Sequence, residues 1–282
     1  MNTDYEAAMG LEERLSLSVF TSGRRRLEAG QWRHPDVLGT FWRFYRNDHD
    51  GAFLMMSGVP YPFQAGTLYL IPPGLHFHCD NTGPLDHFYI HFDVPGLSGL
   101  AMREIFDAPL ELSPTPDLAA VVAALASAPL PGRTDAAEAL SWQCGVQLVL
   151  YSVFRSHLQH LSPEQVERGR RRSAALGPVL PAVRYIEQDL SERISNACLA
   201  ALCHMNEDYF IQRFRECVGA SPASYVQERR VLSAAQCLLF SGQTIDAIAE
   251  SVGFGSRHHL SRVFKQRMGI SPAAYRARGS RV

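Results

Sequence analysis

The apolar positions of this 282-residue chain change their period along its length. From Ser18 to about Asp93 they come in short runs. Gly and Pro interrupt them at Gly58-Val59-Pro60, Pro72-Pro73-Gly74 and Gly83-Pro84. That text predicts strands over 39–45, 52–57, 66–71 and 87–93, and short strands at such spacing predict a β-sandwich or barrel. After Pro95 the spacing turns helical. A short apolar helix is expected over 118–126, a break at Pro129-Leu130-Pro131-Gly132, and a long helix over 134–160 that includes Leu140, Val146, Leu148, Val149, Val153 and Leu158. Residues 162–177 are polar and charged and read as an interdomain linker. Arg170-Arg171-Arg172 within it are placed to touch phosphates or, as the preferred reading, form a solvated charge run. Helices follow over 179–190 and 223–240, then two short ones over 245–252 and 257–268. Residues 1–16 are polar and are expected to be loose or partly helical.

The last two helices meet at a tight turn. Ile245, Ile248, Ala249 and Val252 share one face of the first. Gly253 falls where the chain needs a positive φ, and Phe254 plugs the corner. Ser256 stands as N-cap of the second helix, which turns Leu260, Val263 and Phe264 inward and Arg257, His258, Ser261, Arg262 and Lys265 outward. This is the pattern of a helix-turn-helix, whose exposed donors suit base edges and phosphates. It occurs twice. At an offset of fifty, Phe264, Gly269, Ser271-Pro272-Ala273 and Tyr275 repeat Phe214, Gly219, Ser221-Pro222-Ala223 and Tyr225, and Ser256 repeats Asn206. Upstream the offset is forty-nine, so Ala249 repeats Ala200 and Phe254 repeats Met205, the extra residue being Gly255. Such a repeat is a stronger signal than one turn motif.

Val252-Gly253-Phe254-Gly255-Ser256, then Leu260-Ser261-Arg262-Val263-Phe264-Lys265, then Gly269-Ile270-Ser271-Pro272-Ala273-Ala274-Tyr275-Arg276 resemble the AraC/XylS family of transcription regulators. The resemblance covers 179–278. His204 stands where the family usually has a turn glycine, so a slightly remodelled first turn is expected. A second, looser resemblance, carried by 63–76 and by Ile90-His91-Phe92-Asp93, is to the cupin sensor domain found in many such regulators. The fold expected is therefore α+β in two domains. A cupin-like β-barrel followed by helices (1–161) senses ligand and dimerises. A linker (162–177) leads to an all-α DNA-binding domain (178–282) with two helix-turn-helix units joined by a long helix. The family resemblance implies that the long helix at 134–160 helps pair two subunits; otherwise it covers one side of the sheet.

Charge divides the same way. Residues 1–161 hold 10 basic and 17 acidic side chains, residues 162–282 hold 17 and 11. The basic part is the one that would meet phosphate. Lys265 is the only lysine; arginine suits bidentate contacts. The six cysteines form no C-x-x-C pair, which argues against a zinc module. Cys198, Cys203 and Cys217, in the first helix-turn-helix, read as buried thiols. The amino terminus carries no basic-then-apolar signal and the chain no long apolar run, so a cytoplasmic protein without membrane contact is expected.

On the first recognition helix Asn206 caps, and Asp208, Ile211, Gln212 and Arg215 face out; on the second, Ser256 caps, and Arg257, His258, Ser261, Arg262 and Lys265 face out. These are the DNA-binding candidates. The resemblance places Asp208, Ile211, Gln212, Arg257, His258, Ser261 and Arg262 at base-reading positions. In the amino-terminal part, alternation puts Phe41, Arg43 and Tyr45 on one face, His87, Tyr89 and His91 on one face, and His76 with His78. Arg43, Tyr45, His76, His78, Tyr89 and His91 are the ligand-binding candidates. Such a mouth suits a polyhydroxylated ligand, and a sugar is what the resemblance implies. Trp32 and His87 read as structural. His76, His78 and His91 are also a spacing that a metal-binding cupin enzyme uses, but no glutamate follows at a suitable distance. No catalytic residue and no cofactor is assigned. The function expected is an effector-controlled regulator, an activator, acting as a homodimer on double-stranded operator DNA and recruiting RNA polymerase. The alternatives are a metal-dependent cupin enzyme fused to a DNA-binding module, and a regulator whose amino-terminal domain only dimerises.

Overall fold

A computed structural model describes residues 15, 17–39, 41–94, 105–106, 108–112, 114–128 and 136–279. The expectations for residues 1–14, the start of the helical text after Pro95 and the break at 129–132 lie outside them. The chain divides into two compact units. One comprises 16–94 and 106–166; the other comprises 167–282 with 1–15 and 95–105.

The first unit is built on nine strands among the described residues: β1 (Ser18–Leu27), β2 (His34–Leu38), β3 (Trp42–Asn47), β4 (Ala52–Met56), β5 (Val59–Pro62), β6 (Leu68–Ile71), β7 (His76–Asn81), β8 (Leu85–Asp93) and β9 (Leu110–Leu112). They pair antiparallel as a five-stranded sheet in the order β1-β8-β3-β6-β9 and a four-stranded sheet in the order β2-β7-β4-β5. The ladders are two separate sheets; among the described residues no pairing closes them into the single barrel expected. Leu27, Tyr45, Tyr69, Ile71 and Leu85 of the first sheet form one buried cluster with Ala52, Leu54, Phe77 and Cys79 of the second, joined by Trp32 and Phe63. This is the sandwich arrangement, with two inner faces interdigitating.

The other face of the five-stranded sheet is as apolar as its inner face. Trp42, Phe44, Phe88 and Phe92 alternate with the inward residues along β3 and β8 and are almost fully buried. Their cover is the helix α2 (Ala136–Gln159), which follows α1 (Pro116–Ser127). Phe154 of α2 lies 5.4 Å from Trp42 and 5.9 Å from Phe92, and Trp142 donates to Ser22 Oγ at 2.8 Å. Val146, Val149, Leu150 and Val153 complete its buried face. Leu140 and Leu148, expected as apolar members of this helix, instead face outward with Tyr151, at 61%, 54% and 41% exposure.

The predicted linker is helical: α3 spans Pro163–Leu176. Arg170 and Arg171 are solvated as expected, and each also makes a surface pair along the helix. Arg170 and Arg171 both bond Glu167, which they hold well below the usual carboxylate range, and Arg172 donates to the Cys217 carbonyl at 2.9 Å.

The second unit continues with α4 (Leu180–Gln188), α5 (Asn196–Leu202), α6 (Glu207–Val218), α7 (Pro222–Phe240), α8 (Ile245–Ser251), α9 (Arg257–Met268) and α10 (Pro272–Gly279). Two cores result. Val183, Ile186, Leu199, Ala200, Phe210 and Phe214 form the first; Ile248, Ala249, Val252, Phe254, Leu260, Val263 and Phe264 form the second. The connecting helix α7 serves both. Its first turns give Tyr225 and Val226 to the first core, and its later turns give Val231, Ala234, Ala235 and Leu238 to the second. At 19 residues it is about 28 Å long.

Candidate nucleic-acid interface and effector site

The two helix-turn-helix units repeat bond for bond. Ser195 and Thr244 cap α5 and α8 by accepting from Cys198 and Ala247. The turns close with His204 N–H donating to the Ala201 carbonyl and Met205 N–H to Ala200, matched by Gly253 to Glu250 and Phe254 to Ala249. Asn206 and Ser256 cap α6 and α9 by accepting from Tyr209 and His259 at 2.9 and 3.2 Å. Gly219 and Gly269 end both helices in the left-handed conformation. Tyr225 packs edge-on to Phe214, as Tyr275 does to Phe264.

The remodelled first turn expected from His204 does not occur. His204 adopts φ +54°, where the second unit has Gly253 at φ +79°. The surrounding bonds over-determine that conformation, and an exposed side chain accepts the modest strain. The second turn has no such freedom. A Cβ on Gly253 would lie 2.1 Å from the Leu190 carbonyl oxygen and 2.7 Å from Arg230 Nη2. Arg230, from α7, itself donates to the Leu190 and Glu192 carbonyls at 2.9 and 2.8 Å. Thus Leu190, which packs on the first core, also receives the turn of the second unit. Beside it, Glu187 accepts from Tyr225 Oη at 2.7 Å and pairs with Arg229 at 2.6 Å, which ties α4 to α7. Sequence reasoning missed Arg229, Arg230 and Glu187. The repeat offset does not flag them, because they join elements rather than recur in each.

The outward candidates are placed as expected, with two qualifications from geometry. Asp208, Gln212, Arg215, Arg257, His258, Arg262 and Lys265 are exposed, while Ser261 is half-buried and Ile211 leans on the first core. Asn206 and Ser256 commit their side-chain oxygens to capping. The two helices differ in charge. Helix α9 carries Arg257, Arg262, Lys265 and Arg267 and no acid, whereas α6 carries Glu207, Asp208 and Glu216 against Arg213 and Arg215. On α6, Glu216 holds both Gln212 and Arg213. On α9, Arg257 is shared with Asp246 at 3.4 Å, while Arg262 and Lys265 have no ion-pair partner among the described residues. Arg262 and Lys265 on α9 thus stand against Arg215 on α6 as cations without an ion pair among the described residues, and an open hollow between Ser191 and the α8–α9 turn is lined by Asp246, Glu250, Arg257 and His258.

A helix-turn-helix domain family model matches residues 199–278. A putative AraC-like transcription regulator of Streptomyces antibioticus is 31% identical over 129 residues, 46% of this chain and 42% of that one. The carboxyl-terminal segment is a helix-turn-helix domain of the AraC family. The MmsAB operon regulatory protein of Pseudomonas aeruginosa is 31% identical over 94 residues, 33% of this chain and 31% of that one. This chain thus spans about a third of the length of that relative. The DNA-binding domain of AdpA, solved with a target DNA, is 36% identical over 36% of this chain and 90% of that one, with a TM-score of 0.34. ToxT of Vibrio cholerae shares the fold over 93% of this chain and 98% of its own, with a TM-score of 0.51 and 12% identity.

Ahead of the AraC-family domain, the second candidate site is split by the structure. Arg43, Tyr45, Tyr89 and His91 come together on the inner face of the five-stranded sheet. There β3 and β8 oppose Arg43 to His91, Tyr45 to Tyr89 and Asn47 to His87. Tyr45 Oη lies 3.3 Å from His91 Nε2, and burial holds the Tyr45 phenol protonated well above its usual range. His87, read as structural, belongs to this group: its Nδ1 lies 2.7 Å from Asn47 Oδ1, and its ring packs 4.9 Å from Trp32 and 4.7 Å from Tyr45. Burial, with Arg25 second, lowers its pKa to about 3, so it is neutral. His76 and His78 are a correction. They are exposed, because on β7 it is Phe77 and Cys79 that turn into the sandwich. The two lie on the outer side of the four-stranded sheet, whereas His91 lies on the inner face of the five-stranded one. Among the described residues no three His, Cys, Asp or Glu side chains are grouped to hold a metal ion. No described helix is long and apolar enough to cross a membrane.

Proposed function

We propose that this chain is a sequence-specific transcription regulator that binds double-stranded DNA through both helix-turn-helix units. The observation that carries the reading is the duplicated AraC-family domain, capped and closed identically in both copies, with exposed cationic donors on the second recognition helix. Connecting helix α7 is of a length that suits successive major grooves, about 34 Å apart. The second unit, rich in free cations, anchors to phosphate and reads bases with Arg257, His258, Ser261 and Arg262. The first reads with Asp208, Ile211, Gln212 and Arg215, where Asp208 can accept from cytosine and Gln212 must leave Glu216 to bond adenine. Asn206 and Ser256 act as caps beside these readers.

In the same reading the cupin-like two-sheet domain holds a small-molecule effector on its polar inner ladder. A sugar, as the family resemblance implies, would use the Tyr45–His91 pair for hydroxyls and the neighbouring rings for its C–H faces. The protein pairs with a second copy through the outward stripe Leu140, Cys144, Leu148 and Tyr151 of α2, which recurs at helical spacing and is unburied. Effector binding favours one arrangement of the dimer on its operator, and RNA polymerase is recruited to that arrangement as activation. The ligand must bind that state more tightly for this to work. Selection of bound duplexes from a random library, followed by gel-shift titration, tests the reading. A recovered bipartite sequence bound at least about 10³-fold over random duplex supports it; recovery of no consensus refutes it.

A further inference from the structure

Among the six polar side chains opposed across β3 and β8, only Arg43 bears a fixed charge. It is 5% exposed. Its guanidinium lies 3.9 Å over the Phe41 ring and 5.3 Å from the Phe77 centroid, and Nη1 donates to the Phe41 carbonyl at 3.0 Å. Among the described residues no carboxylate pairs with it. Unlike His87 at the other end of the ladder, an arginine cannot escape burial by losing its proton. A buried cation with no counter-charge is costly to maintain, and a bound anion would offset that cost.

Among the described side chains the four-stranded sheet contributes no carboxylate to the buried cluster beside Arg43. Its contribution to the same buried cluster is Ala52, Leu54, Phe77 and Cys79. The site is therefore a polar ladder with one cationic end facing an apolar wall. The groups beside Arg43 complete an acceptor's needs. Tyr45 retains its hydroxyl proton, and His91, directly across the ladder from Arg43, is 8% exposed. A planar guanidinium with a phenol next to it is the donor set that matches the two oxygens of a carboxylate.

We propose that the effector carries a carboxylate, bound by Arg43 with Tyr45 beside it, and lays its body against the Leu54 and Phe77 wall. This rests on the reading of the two-sheet domain as an effector site and narrows it: a neutral sugar leaves the Arg43 charge unanswered, whereas a sugar acid, an aromatic acid or an aliphatic acid satisfies it. The shared chemistry is the carboxylate; the body is what the experiment separates.

The test is calorimetric titration and thermal shift on the full-length protein with three acids and their neutral counterparts: glucuronate and glucose, benzoate and benzamide, octanoate and octanamide. At least one acid is expected to bind about ten- to a hundredfold more tightly than its counterpart, the range for a charge-assisted pair. Arg43→Gln is expected to erase that preference. Because a change at this buried position can unfold the domain, the comparison on the unaltered protein stands by itself. Equal binding of an acid and its counterpart overturns the proposal, as does a well-folded Arg43→Gln protein that keeps the preference. Binding of glucose with no binding of any acid overturns it and leaves the effector reading standing. A panel with no binding at all counts against both.

Discussion

Gly253→Ala separates the two otherwise equivalent turns. The added methyl would sit 2.1 Å from a backbone oxygen, Leu190 O, and 2.7 and 2.8 Å from Nη2 and Cζ of Arg230. A side chain can swing away; the Leu190 carbonyl cannot without moving the chain after α4. Relief requires the turn to back off by more than an ångström, which opens the two bonds from Arg230 to Leu190 and Glu192. Each such bond is worth about 1 kcal/mol, more with a charged donor. Holding alanine at φ +79° adds about 1 kcal/mol. The total loss is roughly 3–5 kcal/mol. His204→Gly, at the matched turn, changes stability by less than about 1 kcal/mol, since the strain relieved offsets the chain entropy gained on unfolding. Urea unfolding of the full-length protein, followed by tryptophan-independent circular dichroism of the helices, reads both variants. If Gly253→Ala costs under about 1 kcal/mol, or no more than His204→Gly, then Leu190 and Arg230 do not clamp the second unit as described.

Three further outcomes are expected. The folded His87 pKa of about 3 lies below the ordinary histidine value, so its contribution is complete above about pH 6.5 and drains away as pH falls toward 3. The amino-terminal transition should lose about 1.4 kcal/mol per pH unit in that window from this group, and a His87→Gln variant that keeps the same slope would contradict the assignment. Arg262→Ala should weaken specific operator binding by about 1–3 kcal/mol and relax base preference at one position; an unchanged gel-shift titration rejects Arg262 as a reader. Leu148→Glu acts twice across a two-fold axis and, with about 1.5–3 kcal/mol per buried leucine, should raise the dimer dissociation constant at least a hundredfold by roughly that reckoning. Sedimentation equilibrium that shows an unaltered dimer excludes the α2 stripe as the interface.

The helical third was the most legible part of the chain, for a physical reason. Caps and turn residues act locally: Asn206, Ser256, Gly219 and Gly269 each set their own neighbourhood, so their spacing can be read without knowing what lies opposite. Helix α9 has the bounds its apolar spacing predicts. Alternation likewise identified the faces of β3 and β8. It could not say which face of a strand meets the core, because both faces of the five-stranded sheet are buried, one by the second sheet and one by α2. On β7, in the other sheet, His76 and His78 do share a face, but period-two alternation alone does not say which face turns inward, and it is Phe77 and Cys79 that do. The first turn was misjudged because the glycine rule at His204 describes preference, and the surrounding bonds outweigh it. Contacts such as Arg230 to Leu190 join residues 40 apart and leave no periodic trace.

On the proposed function, both units of the AraC-family domain read one duplex, and hydroxyl-radical footprinting on a selected operator resolves whether they do. For each bound copy of the chain, two protected segments about 10 base pairs apart on one face are expected, with Arg262→Ala losing one and Gln212→Ala weakening the other. A single protected segment, or two that respond together to either change, would contradict it.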